Sequence, residues 1–257
     1  MMAELRWRHT IGILGGMGPW AHVELERRLL EECRRRGCAS DGDFPSWVVC
    51  STPGIPDRTA ALLGCGPTPR PAIDRGLQRL ASAGADFAVV ACNTAHAWLE
   101  DPELQSPLPV LDIVEHTLRT IESTHGPRAS VGVLATTGTL RADLHRRRAR
   151  RSHPGMVVRS LLDHPVDEPL HRRVMEAIYG AGDRPGLKSG PPRGTELAGI
   201  VELLAPAFEV LADNDVVVLG CTELSMLATV LPHWGPEWID PLSIIAKTAL
   251  DRASNPS

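Results

Sequence analysis

The chain repeats itself. Residues 11–19 read Ile-Gly-Ile-Leu-Gly-Gly-Met-Gly-Pro, and residues 131–139 read Val-Gly-Val-Leu-Ala-Thr-Thr-Gly-Thr. Each is an apolar run that enters a turn of small residues and then a helical stretch. A second pair follows in the same order. Val89-Val90-Ala91-Cys92-Asn93-Thr94 is matched by Val218-Leu219-Gly220-Cys221-Thr222-Glu223. In both, an apolar strand ends in cysteine and residues suited to a helix start come next. Self-similarity on this scale points to two related halves, each offering one small-residue turn and one cysteine.

The local pattern fills in the halves. Short apolar runs predict strands at 10–14, 47–51, 87–91, 110–112, 130–134, 157–160, 215–219 and 238–240. Amphipathic runs predict helices at 21–36, 72–83, 113–123, 140–151, 197–211 and 242–252. Apolar strands alternating with helices imply mostly parallel sheets covered on both faces. The expected fold class is α/β, with two pseudo-symmetric α/β domains and an active-site cleft between them. Residues 1–109 form the first domain with Cys92, and 110–236 the second with Cys221. Residues 237–257 form a C-terminal segment that packs back on the first.

Composition removes several classes of function. No apolar run approaches the roughly 18 residues of a membrane span, and the polar start, Met1 to Thr10, does not read as a signal peptide. A net charge of −4 and 4% aromatics are unlike a nucleic-acid binder. The arginine runs at 34–36 and 146–151 read instead as solvated helix faces near C-termini, where cations are favoured. The segment Gly16-Met17-Gly18-Pro19-Trp20-Ala21 matches a dinucleotide fingerprint. The second strand, however, ends at Cys50-Ser51-Thr52 with no acid for the ribose, which argues against NAD. Six cysteines with no CxxC pair, in a chain long enough to build its own core, imply free thiols and a cytoplasmic protein. Cys33, Cys38, Cys50 and Cys65 have no matching partners and read as structural. No His/Cys spacing suits a metal.

Cys92 and Cys221 are different because they recur at matching points of the repeat. Ligands of open α/β sheets bind at the carboxyl ends of strands, so facing halves would bring both thiols to one cleft. A thiol at a helix N-terminus is expected to ionise more easily. One thiolate and one thiol on opposite walls suit removal of a proton from one face of a carbon and return of a proton to the other. That is racemisation or epimerisation. Only two lysines, Lys188 and Lys247, are available for a pyridoxal Schiff base, so no cofactor is expected. The developing charge then needs dense hydrogen bonding. The backbone N–H groups after each cysteine and the side chains of Asn93, Thr94 and Thr222 are the candidates. His96, four residues past Cys92, reads as structural. Glu223, beside Cys221, is open to three roles: binding a substrate ammonium, capping a helix, or raising the thiol pKa.

These motifs resemble the cofactor-independent aspartate/glutamate racemase superfamily, most closely its aspartate racemase branch. The resemblance rests on residues 11–19, Ile55-Pro56-Asp57-Arg58-Thr59, 86–98, 131–139, Gly186-Leu187-Lys188-Ser189-Gly190, 217–227 and 239–246. It implies that Cys92 and Cys221 are the paired acid/base thiols. It implies that Arg58 and Lys188 bind the distal carboxylate of an acidic amino acid. It places Met17 and Gly18 at the cleft, with Thr137 from the second turn among the substrate contacts. It also implies a homodimer whose only other partner is a small amino acid. Leu14-Gly15-Gly16 and Glu223 stand where the glutamate racemase branch carries an acidic residue and a histidine. The alternatives are an isomerase of a non-amino-acid dicarboxylate such as maleate, or a catalytically silent carboxylate-binding protein.

Overall fold

The computed structural model describes residues 7–100, 106–231 and 235–254. The first six residues of the polar N-terminal stretch lie outside that range. The first half runs β1 (Ile11–Gly15), α1 (Pro19–Arg35), β2 (Trp47–Ser51), α2 (Arg58–Leu62), α3 (Arg70–Ser82), β3 (Phe87–Val90), α4 (His96–Leu99) and β4 (Val110–Leu111), and α5 (Ile113–His125) leads out of it. The second runs β5 (Ser130–Leu134), α6 (Thr137–Arg141), α7 (Leu144–Ser152), β6 (Val157–Ser160) and α8 (Glu168–Tyr179). A short pair, β7 (Gly180–Ala181) and β8 (Arg184–Pro185), follows. The chain then forms α9 (Gly194–Leu211), β9 (Val216–Leu219), β10 (Glu237–Ile239) and α10 (Pro241–Ser254).

Two four-stranded sheets result, in the orders β2-β1-β3-β4 and β10-β9-β5-β6. Every pairing within them is parallel. The eight predicted strands are all present. Two boundaries differ from expectation. Val110 and Leu111 pair with β3, so residues beyond 109 still belong to the first sheet. The segment after 236 divides: β10 pairs with β9 in the second sheet, while α10 packs on α1 and α5.

The helix expected at 140–151 is broken. Asp143 takes φ 53, a left-handed conformation that Asp tolerates better than most residues, and separates α6 from α7. Helix α8 was not predicted. Its Leu170, Val174, Ala177 and Ile178 recur at helical spacing and are packed in the core, but its first turn carries Pro169 and charged neighbours.

The strand period of two sorts the core into layers. Ile11, Ile13, Val89, Val131, Val133, Val216 and Val218 face inward, into one shared core with α1, α5, α7 and α10. These helices lie side by side, α1 on α10, α10 on α5 and α5 on α7. Leu14, Ala88 and Val90 face outward against Ile73 and Leu77 of α3. Val217 and Leu219 face outward against Phe208 and Ile178 of α9 and α8. Each fully buried side chain of this kind contributes roughly 1.5–3 kcal/mol. Cys92 and Cys221 both continue the outward parity of their strands. Among the described residues no helix is long and apolar enough to cross a membrane.

Candidate active site

The site forms where β1, β3, β5 and β9 end. Gly16 turns the chain after β1 with φ 91, and a Cβ there would lie 2.4 Å from the Thr52 backbone, so only glycine fits. The turn brings Met17 into position, 1% exposed. Beyond β3 and β9 the chain makes a tight turn through each cysteine. Both thiols line one small cavity between the halves, each 6% exposed.

Of the residues expected at the site, Met17, Arg58, Asn93, Thr94, Lys188, Thr222 and Glu223 line that cavity with the cysteines. Gly18 stands at its edge and donates its N–H to Glu223 Oε1 at 3.3 Å. Thr137 does not join them. Its hydroxyl bonds His171 Nε2 at 2.9 Å, and the preceding Thr136 lines the cavity instead. The turn after β5 begins one residue earlier than the motif alone suggests, so the adjacent hydroxyl points inward. Thr59 and Tyr179 also line the cavity and were missed. Thr59 follows Arg58 in the quoted motif, and Tyr179 is the only tyrosine of the chain. Its helix carries apolar residues at helical spacing, Leu170, Val174, Ala177 and Ile178, a signal that was overlooked.

The two thiols have unlike neighbours. Arg58 is 8% exposed and held by carbonyls: Nη2 donates to Met17 O at 2.6 Å, and Nη1 to Pro56 O at 3.0 Å and Ile55 O at 3.3 Å. Burial opposes its charge, but the Cys92 sulfur, Asp57 and Tyr179 together outweigh that and raise its pKa. Cys221 instead donates its S–H to Glu223 Oε2 at 3.0 Å. Burial first, then the Glu223 charge, push the Cys221 thiol well above its ordinary range. The expected ease of ionisation is therefore reversed at Cys221. The helical segments after the cysteines are single turns, α4 and the 3-10 turn Leu224–Leu227, too short to supply a strong dipole.

Glu223 is 2% exposed. Its Oε1 accepts from Lys188 Nζ at 2.7 Å. Burial would raise its pKa, but Lys188 and the Cys221 S–H together lower it. The Lys188 pKa is raised against burial by Glu223 and Cys221, and its ammonium lies 5.1 Å from the Tyr179 ring centre. Of the three roles open to Glu223, the geometry supports the one on the thiol.

Asn93 is 2% exposed, and neither its Oδ1 nor its Nδ2 has a hydrogen-bond partner. An unbonded buried amide is unfavourable by about 1–3 kcal/mol, so it points to a polar ligand in the cavity. Thr94 Oγ1 bonds Thr139 Oγ1 at 2.7 Å and Thr136 Oγ1 at 3.4 Å, which joins the first half to the second. Thr222 Oγ1 donates to Ala91 O at 3.4 Å in the reverse direction. His96 is fully used: its Nδ1 bonds Cys92 O at 2.9 Å and its Nε2 accepts from Ile113 N at 3.4 Å.

Lys188 is the one lysine at the cavity, and Lys247 sits on the exposed face of α10. Among the described residues no cluster of three His, Cys, Asp or Glu could hold a metal. Cys65 is exposed, unlike the buried Cys33 and Cys38.

Two parallel α/β halves with a cysteine-lined cavity between them define the class as a two-domain racemase. Residues 14–249 match the Asp/Glu/Hydantoin racemase family. The chain belongs to that family and is an amino-acid racemase within it. A broad specificity amino-acid racemase of Bacillus subtilis (strain 168), RacX, is 31% identical over 180 residues, 66% of this chain and 76% of its own length. A glutamate racemase of Corynebacterium kroppenstedtii is 31% identical over 173 residues, 65% of this chain and 53% of its own. Among solved structures, Picrophilus torridus aspartate racemase superposes with a TM-score of 0.74 at 24% identity, covering 95% of this chain and 94% of that one.

Proposed function

We propose that this protein interconverts the L and D forms of an acidic amino acid, aspartate or a close analogue, without a cofactor. One observation carries the reading: the cysteines of two equivalent strand ends line the same buried cavity. One sulfur, as thiolate, takes the Cα proton and leaves a carbanion. The opposite thiol gives its proton to the other face and becomes the thiolate. The product is the mirror image, with one proton taken and one returned. Asn93, Thr94 and Thr222 surround the substrate's α-carboxylate and ammonium, where hydrogen bonds strengthen as charge develops. The neighbours set the starting state: Glu223 keeps Cys221 protonated as the acid, and Arg58 is the counter-charge available to a Cys92 thiolate. The family resemblance adds a homodimer working in the cytoplasm.

The acidic substrate is supported by two cations at the cavity, Arg58 and Lys188. A broader range is the second reading, favoured by the Lys188–Glu223 ion pair. A lysine already neutralised offers less to a distal carboxylate, and RacX is itself named for broad specificity. The test is incubation with L-aspartate, L-glutamate and L-alanine in D2O, following loss of the Cα–H signal and appearance of the D form. Turnover of aspartate above alanine is expected. Equal turnover would move the assignment to the broad reading, and no exchange with any of them would contradict racemisation.

A further inference from the structure

Two buried arginines outside the cavity obey the same repeat as the cysteines. Arg28 and Arg148 lie 120 positions apart, the spacing of the two small-residue turns. Each sits on the inner helix after the first strand of its half, α1 or α7, and each reaches an aspartate of the other half. Arg28 Nη2 lies 3.2 Å from Asp240 Oδ2, with side chains 9% and 10% exposed. Arg148 Nη1 lies 2.5 Å from Asp112 Oδ2, with side chains 7% and 24% exposed. The aspartates are equivalent as well. Asp112 follows β4 and caps α5 through the N–H groups of Val114 and Glu115. Asp240 follows β10 and accepts from Leu242 N at the start of α10.

Each aspartate–helix junction then holds one cysteine loop at its fourth residue. Asp240 Oδ1 accepts from Ser225 Oγ at 2.6 Å, and Arg28 Nη2 donates to Ser225 O at 3.0 Å. Ser225 stands four residues after Cys221. On the other side, Ile113 N–H, directly after Asp112, bonds His96 Nε2, and His96 Nδ1 bonds the Cys92 carbonyl. His96 stands four residues after Cys92. Glu100, at the end of α4, pairs with Arg148 from the same loop.

We propose that Arg28–Asp240 and Arg148–Asp112 are reciprocal positioning pairs, which fix the two halves against each other and each set the placement of one cysteine. Arg28–Asp240 acts on Cys221 through Ser225. Arg148–Asp112 acts on Cys92 through His96. The pairs matter for racemisation only if the two-thiol reading holds, but their effect on the thiols can be read without substrate.

The experiment is site-resolved alkylation of the full chain by iodoacetamide, with the rate at each cysteine read by peptide mass spectrometry. Arg148→Gln and Asp112→Asn should change the rate at Cys92 by about threefold or more, with Cys221 moving less than about twofold. Arg28→Gln and Asp240→Asn should show the opposite selectivity. Arg28→Lys and Arg148→Lys keep the charge and should give the same selectivity with smaller changes. They carry the comparison if a glutamine variant fails to fold, since an aspartate left buried without its partner charge is strongly destabilising. Equal changes at both cysteines in every variant, or no change in folded variants, would overturn the proposal. Loss of racemase activity with unchanged alkylation would also overturn it. A wild-type protein that alkylates as expected but does not racemise would instead count against the proposed reaction alone.

Discussion

The two halves share a backbone plan and differ in what they set beside their cysteine. In the first, Arg58 packs against Cys92. In the second, Glu223 accepts a hydrogen bond from the Cys221 S–H and is itself held by Lys188. The inner helices differ in the same way. At the position of the buried Leu25 in α1, the second half carries His145, equally buried. Helix α1 is unbroken, whereas its counterpart splits at Asp143 into α6 and α7. Topology is thus symmetric and electrostatics is not. The symmetric part brings both thiols to one cavity. On the proposed reaction, the asymmetric part would set which thiol rests as the acid, so a conversion that is mirror-symmetric in outcome would start from an unsymmetrical site.

Among the cysteines' neighbours, removing the first half's cation should have the largest effect. Arg58→Ala deletes a buried charge beside Cys92, a contact worth about 2–5 kcal/mol. The account expects kcat/KM for aspartate to fall by at least about tenfold, and further than that for alanine. Equal losses for both would leave Arg58 as the Cys92 counter-charge only and remove it from substrate selection.

The second half's buried histidine should dominate its acid sensitivity. Burial first, and then His96 and Arg148, lower the His145 pKa to about 4 against an opposing pull from Asp112 that is stronger than the effect of either residue. Because the unfolded value is near 6.5, the unfolded chain binds the proton first. Stability is present above pH 6.5 and is lost as pH falls toward about 4, by up to about 2 kcal/mol at pH 5. His145→Leu, which copies Leu25, should flatten this limb in urea titrations at pH 7 and pH 5. His171, also lowered to about 4 by burial, retains a share of it. An unchanged difference between the two pH values would show that His145 carries no such linkage.

The smallest effect concerns Glu223. Its charge, after burial, raises the Cys221 pKa, so Glu223→Gln should lower it and move the alkaline limb of the kcat/KM profile to lower pH. Glu223 also has a depressed pKa of its own. Its contribution to stability is present above about pH 4.5 and lost as pH falls through the lowered value, and the glutamine variant should lack that loss. An upward or absent shift of the alkaline limb would detach Glu223 from Cys221.

The repeat made most of this legible. Strand ends announce themselves through apolar runs and small-residue turns, so both cysteines, Asn93, Thr94 and Thr222 could be named from the repeat, whereas Met17, Arg58 and Lys188 came from the family resemblance alone. What escaped depends on tertiary contact. Helix α8 carries Leu170, Val174, Ala177 and Ile178 at helical spacing but follows a Pro- and charge-rich start, so it was not read and Tyr179 was missed with it. Thr136 and Thr137 are identical in the sequence, and only the turn decides which faces in. Arg148 sits in a run of arginines that looks solvated throughout. Arg150 and Arg151 are exposed as expected, but Arg148 is buried against Asp112 and Glu100. Ionisation of Cys221 was misjudged because a helix start predicts a lowered pKa, while the outcome rests on burial and a carboxylate.

The central claim is that Cys92 and Cys221 serve opposite faces of one carbon. The direct measurement is Cα–H exchange in D2O by Cys92→Ser and Cys221→Ser, each given the L and the D form of aspartate. Each variant should lose racemisation by about a thousandfold or more, yet exchange one enantiomer with retention, and the two variants should prefer opposite enantiomers. Near wild-type racemisation by either variant, or the same preference in both, would contradict the account.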